Sequence, residues 1–337
     1  MDEEGFRKFI KEGKRVPKNL SEKTIRSHIR MVKEFERFLN KGKKKRQLND
    51  SKANDIKAFI RHLKRQNKNE FDNLIGLLRY ARYSGNEEAA LALLVILDSG
   101  DILPTLCSSF KNKYGKQMHD KVLGGYEPPP IGTPAKLMPR GTGEFLRRLE
   151  SGIGEDATRD FLMHYCPHVS PPEHYADERK MLRASKSIDE YLRKRHRISV
   201  EELEGHMKDG TLFFTQEINQ EVLDFVRSNP EIQGGVRKGN MIHFTKIPYM
   251  TIDYLREKNP KKKRYHFCHC PLARESIITG ETVSHNLCYC SAGYVMRPFE
   301  VAFGRTLRAE IMKSVLWGDS VCQFAIEIPK EYLQDRG

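Results

Sequence analysis

The stretch CHCPLARESIITGETVSHNLCYC, residues 268–290, places four of the chain's seven cysteines in two Cys-x-Cys pairs, Cys268 with Cys270 and Cys288 with Cys290. The common structural zinc pattern is Cys-x-x-Cys, whose turn aims both sulfurs at one ion. On an extended strand, residues two apart share a face but stand roughly 7 Å from each other. The spacing therefore leaves three uses open. Two facing pairs would hold Zn2+ tetrahedrally, an exposed thiol would be reactive, and a buried one would pack as a small hydrophobe. His266, His269 and His285 stand in reserve as ligands, and the basic run NPKKKRYH upstream would favour thiolates if it folds nearby. A second group, His164, Cys166, His168 and His174 in HYCPHVSPPEH, has ligand-type residues among prolines but no acidic partner. A solvated loop accounts for it.

The elements that must carry these residues divide the chain by charge. The net charge is +14, yet residues 1–125 carry 28 Lys and Arg against 16 Asp and Glu, and the remainder 31 against 29. A positive field confined to one end points to a polyanion there, most simply DNA or RNA. The longest apolar run, AALALLVIL, is too short to cross a bilayer, and the N-terminus lacks the apolar core of a signal peptide. These features predict a cytoplasmic protein without a membrane partner. Seven cysteines in a long chain argue for free or metal-bound thiols over a disulfide framework.

The basic end reads as helices. LSEKTIRSHIRMVKEFERFLN puts Ile25, Ile29, Val32, Phe35 and Leu39 on one stripe behind Ser21 as N-cap. A second helix carries Ile56, Phe59, Ile60 and Leu63, and a third carries Phe71, Leu74, Ile75 and Leu78 and stops at Gly85. NEEAALALLVILDSG is apolar nearly all round, which predicts a helix buried at the bundle centre. The candidate nucleic-acid contacts are Arg26, Arg30, Lys33, Lys43, Lys44, Lys45, Arg46, Arg61, Lys64 and Arg65. Four of them, with Lys41, fill the loop KGKKKRQ without an acidic neighbour.

Beyond residue 123, GGYEPPPIGTPAKLMPRGTG reads as a Pro/Gly-rich linker over 124–143, followed by a helical middle over 144–210. Helices are predicted near 143–166 and 174–195, with a new one capped at Ser199 and closed by Glu202 as a capping box. Residues 211–337 read as α+β. MIHFTKIPYM and RYHFCHC are strand candidates, SAGYVMRPFEVAFG is a helix ending at Gly304, and the last stretch is a hairpin with Cys322, Phe324, Ile326 and Ile328 on one face.

The segments LSEKTIRSHIRMVKEFERFL, DIKAFIRHL and LLRYARYSGN resemble the SAM-like core-binding domain at the N-terminus of tyrosine recombinases and phage integrases. That resemblance implies an all-α bundle clamping one face of a duplex. The recombinase catalytic set does not follow it, because the one His-x-x-Arg, HLKR at 62–65, lies inside the bundle. Binding without strand cleavage is the expectation.

At the other end, CYCSAGYVMRPFEVAFG and the Gly318-Asp319 turn leading into Cys-x-Phe-x-Ile resemble the 4-vinyl reductase domain and the related amino-thiazoline-carboxylate hydrolase family. The resemblance implies an antiparallel-sheet domain of the Golgi-transport type with a pocket for a small apolar ligand. Taken together, a DNA-binding regulatory protein with a ligand- or metal-sensing domain is expected, not an enzyme. The alternative is a metal- or thiol-dependent hydrolase, with Arg274 for a substrate carboxylate and Glu275 for acid/base work.

Overall fold

The structure is a computed structural model that describes residues 1–12, 20–41, 46, 48–165, 167 and 172–333. It divides into two compact units, residues 1–103 with 129–134, and 104–128 with 135–337.

Unit 1 is helical: α1 (Glu3–Glu12), α2 (Glu22–Leu39), α3 (Ala53–Arg65), α4 (Phe71–Tyr83) and α5 (Glu87–Leu97). Ser21 starts α2 as expected, its Oγ accepting the Thr24 N–H at 3.1 Å. The stripe predicted for α2 is wholly buried, as are Ile56, Phe59, Ile60 and Leu63 of α3, and they meet Phe6 and Ile10 of α1 in one core. Sequence reading had left α1 out. It also misjudged α5, which buries Ala89, Ala90, Leu93 and Leu97 but leaves Val95 46% exposed. α5 packs on α3 and α4 with Leu94 and Ile96 half-buried and Val95 outward, so its all-round apolar sequence does not make it a fully enclosed central helix.

α2 and α4 touch at a histidine. A Cβ on Gly76 would stand 2.9 Å from the His28 Cα, so only glycine lets the backbones approach this closely. His28 is 1% exposed, and burial, then the neighbouring Arg79, pushes its pKa down to about 4. Because the unfolded chain protonates this imidazole near 6.5 and the folded chain near 4, the unfolded state binds more protons between those values. Stability is therefore complete above pH 6.5 and lost on acidification toward pH 4, by up to about 2–3 kcal/mol. Urea midpoints at pH 7.5 and 5 should show that loss in wild type and a smaller one in His28→Gln. An equal loss in both would remove His28 from the account.

Unit 2 contains α6 (Ile102–Leu123, from Pro104 onward), α7 (Met138–Ile153), α8 (Glu155–His164), α9 (Ala176–Arg183), α10 (Ile188–Asp209) and α11 (Gln220–Arg227). It continues with β1 (Val236–Lys238), β2 (Met241–Thr245), α12 (Thr251–Arg256), α13 (Pro260–Phe267), α14 (Ser276–Thr279), α15 (Tyr289–Phe303), β3 (Ala309–Lys313) and β4 (Gln323–Glu327). The strands form one antiparallel sheet in the order β1-β2-β4-β3, with Ile242 opposite Ile326 and Phe244 opposite Phe324. That face packs on Met296 and Phe299 of α15.

Several expectations hold and several fail for local reasons. α15 ends at Gly304, in a left-handed conformation at φ 71°, as predicted. Phe324, Ile326 and Ile328 are buried together, with Cys322 packed beside them. RYHFCHC is not a strand. Pro260 sits at the first turn of α13 and Asn259 Oδ1 accepts the N–H groups of Lys261 and Lys262, a helix start that outweighs the β tendency of the aromatics. Ser199 caps nothing either. It lies inside α10, which starts eleven residues earlier at Ile188 and is capped by Ser187, whose Oγ accepts the Glu190 N–H. Within the Pro/Gly-rich stretch, α7 already begins at Met138.

Candidate functional site

In unit 1 the structure sorts the predicted nucleic-acid residues by what holds them. Lys33 is taken by Glu3 at 2.5 Å, and Arg46 is forked onto Asp55 at 2.8 and 2.6 Å. Both hold the bundle together, the second by closing the loop onto the start of α3. Lys43, Lys44 and Lys45 lie outside the described residues.

Arg26 and Arg30 are exposed one turn apart on α2, Arg30 reaching only Ser27 Oγ, at 3.5 Å. On α3, Arg61 and Arg65 are exposed with Lys64 half-buried, and Lys57 continues the same helical stripe one turn earlier. Sequence reading missed Lys57, although the i, i+4 spacing to Arg61 carries it. Among the described residues none of Arg26, Arg30, Lys57, Arg61, Lys64 and Arg65 has a carboxylate within ion-pair distance. Their charge is available to a polyanion.

In unit 2 the cysteines converge. A cavity of about 40 Å³ is lined by Cys268, Cys270, Cys288, Cys290 and Cys322, together with Lys246, His269 and Ser314. Cys268 caps the C-terminus of α13 in extended backbone, and Cys270 opens the following turn, its carbonyl accepting the Ala273 and Arg274 N–H groups. Cys288 immediately precedes α15, its Sγ 3.1 Å from Ser314 Oγ. Cys322 stands just before β4, and its carbonyl accepts the Lys246 N–H at 3.2 Å. All five are free thiols.

Burial, and for Cys268 also the proximity of Cys322, pushes the Cys268 thiol up to about 12. Burial, then Cys268, does the same to Cys270, again to about 12. Cys288 is raised well above the ordinary thiol value by burial, then by Cys322, and Cys322 is raised by burial. Burial thus disfavours the thiolate form at these four cysteines. As placed, no three His, Cys, Asp or Glu side chains among the described residues stand close enough to hold a metal ion.

Of the reserve histidines, His269 alone lines the cavity. Its Nε2–H donates to the Ile247 carbonyl at 2.5 Å, and its ring packs edge-on against Tyr249 and Phe214. Burial, then Lys246, holds it neutral. His266 faces Glu257 at 3.9 Å, and His285 is exposed against Trp317.

Arg274 lies over the Tyr249 ring at 4.4 Å and near Tyr265, whose hydroxyl donates to Glu275 Oε1 at 2.8 Å. Aromatic neighbours thus occupy both groups expected of a hydrolase. His164 and His174 are described, the first donating its Nδ1–H to the Asp160 carbonyl at 2.9 Å and the second packed on Tyr175; Cys166 and His168 fall outside the described residues.

No curated protein and no solved structure matches the chain significantly. A family of unknown function, DUF6144, matches residues 254–333, a span that includes all five cavity cysteines. It lends no support to the 4-vinyl reductase and hydrolase resemblances. The phage integrase N-terminal SAM-like domain matches residues 14–71, which cover α2 and α3 with the available basic residues. Through that segment the chain is similar to the N-terminal SAM-like domain of phage integrases, and through residues 254–333 to a family defined without a function.

Proposed function

We propose that the protein binds DNA through unit 1, with Arg26, Arg30, Arg61, Lys64 and Arg65 contacting phosphates, and that it acts as a DNA-binding regulator without strand-cleavage chemistry. The carrying observation is that the integrase-type match, residues 14–71, coincides with the helices bearing basic side chains free of carboxylate partners. Arg and Lys on exposed helix faces supply the sequence-independent part of DNA affinity. Six free cysteines in the described chain fit a reducing, cytoplasmic compartment.

Fluorescence anisotropy with the full chain and a labelled duplex at 50 and 200 mM salt tests the reading. Wild type should bind far more weakly at the higher salt. Arg61→Ala with Arg65→Ala should lower the affinity about tenfold at low salt and flatten the logarithmic salt slope by about two. Binding that ignores salt, or a double variant indistinguishable from wild type, would sink it. The same titration with Lys33→Ala should differ little, because that ammonium is spent on Glu3.

A further inference from the structure

We propose that unit 2 carries a phosphate-binding cleft of its own, formed by the α12–α13 connection, α13 and the turn at Gly318, and that nucleic-acid backbone phosphates occupy it; this rests on the DNA-binding reading of unit 1 and adds a second contact surface to it.

Sequence supplies the charge. Residues 256–264, REKNPKKKR, hold six Lys and Arg and one Glu, whereas the rest of 126–337 carries 25 Lys and Arg against 28 Asp and Glu. The positive charge of this part of the chain is concentrated in nine residues. Local structure then gathers it. Lys263 and Arg264 line a cleft of about 490 Å³ together with Arg256, Lys258, Gly318 and Ser320, a volume that admits a phosphodiester with its adjoining sugars.

What holds these cations matters as much as their number. Elsewhere in unit 2 exposed Lys and Arg face carboxylates, as Lys180 faces Asp177 and Arg227 faces Glu204. In the cleft only Arg256 does so, with Glu221 at 2.7 Å. Lys263 Nζ lies 4.7 Å over the Tyr254 ring, and Arg264 Nη1–H donates to the Val315 carbonyl at 3.3 Å. A ring face and a carbonyl orient a cation and leave its charge unneutralised. Lys258 is exposed, and among the described residues it has no carboxylate within ion-pair distance. The one carboxylate in the cleft, Glu257, accepts the N–H groups of Lys258 and Asn259 at 2.9 and 2.8 Å, which commits it to the α12–α13 connection. Three cations therefore stand against one carboxylate.

The donors suit phosphate oxygens: two ammonium groups, a planar guanidinium and the Ser320 hydroxyl. Gly318, at φ 111°, leaves the guanidinium uncovered, since a Cβ there would stand 3.7 Å from Arg264 Nη1. The α13 amides add nothing, because Asn259 Oδ1 already accepts those of Lys261 and Lys262. Both of these lysines are exposed, so the positive surface runs on past the cleft along α13 and meets a chain of phosphates better than a single one.

The test is fluorescence anisotropy of the full chain on a labelled duplex at 50 and 200 mM salt, with Lys258→Glu, Lys263→Gln and the two combined. The double variant should weaken binding about tenfold at the lower salt and flatten the logarithmic salt slope by about two. Lys180→Ala, which removes a paired charge outside the cleft, should change the affinity by less than about twofold. If Lys263→Gln does not fold, Lys258→Glu at its exposed position decides, with a loss of about threefold or more expected. Wild-type affinity in the deciding variant overturns the cleft. A loss there with none in Arg61→Ala/Arg65→Ala supports the cleft and sinks the unit 1 reading alone; the reverse sinks the cleft alone. About 1 mM inorganic phosphate at constant ionic strength should leave the difference between wild type and variant standing, and vesicles of equal phosphatidylserine and phosphatidylcholine should bind both alike. A difference that vanishes in phosphate, or vesicle binding that needs Lys258 and Lys263, overturns the assignment to nucleic acid.

Discussion

Gly293→Ala should unfold unit 2 or destabilise it by about 3 kcal/mol or more, although it adds one methyl group to a helix. The helix would welcome alanine on propensity alone. Yet a Cβ at this position of α15 would stand 1.8 Å from the Met163 carbonyl oxygen and 2.8 Å from its carbon, both backbone atoms of α8. Backbone cannot swing aside as a side-chain end can, so α8 and α15 must separate, and the core around Ala292, Val295 and Met296 opens with them. Gly205→Ala is the matched control. That glycine lies inside α10 with nothing within 4 Å of the added atom, so the change should stabilise by about 0.5–1 kcal/mol. Urea denaturation of the two variants should move the midpoint in opposite directions, and a Gly293→Ala midpoint within error of wild type would contradict the helix contact.

Glu178→Ala should cost about 3–5 kcal/mol, measured the same way, because it leaves a buried guanidinium without its counter-charge. Arg195 of α10 is ion-paired to Glu178 of α9 and lies 4.5 Å over the Phe299 ring of α15, and the Tyr191 hydroxyl donates to the second Glu178 oxygen at 2.8 Å. The pair thus ties three helices beneath the sheet. Replacing both charges, Glu178→Met with Arg195→Met, should cost distinctly less than Glu178→Ala alone, since no uncompensated charge remains. A single-variant loss under about 1 kcal/mol would show that water reaches the pair.

This network was invisible in the sequence. Glu178 and Arg195 sit in helices of ordinary charged composition, and nothing in their spacing separates them from neighbouring ion pairs on solvent faces such as Lys180 with Asp177. Burial by α15, more than a hundred residues later in the chain, makes the difference. The basic residues behave alike. Arg30, Lys33 and Arg46 look equivalent in sequence, but only the fold sets Lys33 against Glu3 and Arg46 against Asp55, leaving Arg30 outward.

What the sequence determined by itself is whatever depends on neighbours within a turn or two. The α2 stripe and its Ser21 cap, the α3 face, the stop after Phe303 at Gly304 and the alternation of Phe324 and Ile326 all follow from local periodicity and capping. The clustering of two Cys-x-Cys pairs was equally plain, and so was the question of what they face. Only tertiary structure could answer it. Asn259 and Pro260 turn the expected first strand into a helix that delivers Cys268 at its end, the start of α15 brings Cys288 and Cys290 against it, and strand pairing of β2 with β4 carries Cys322 to the same cavity. Contacts of long sequence separation are chosen by which faces bury against each other, and no spacing rule in a single strand or helix encodes that choice.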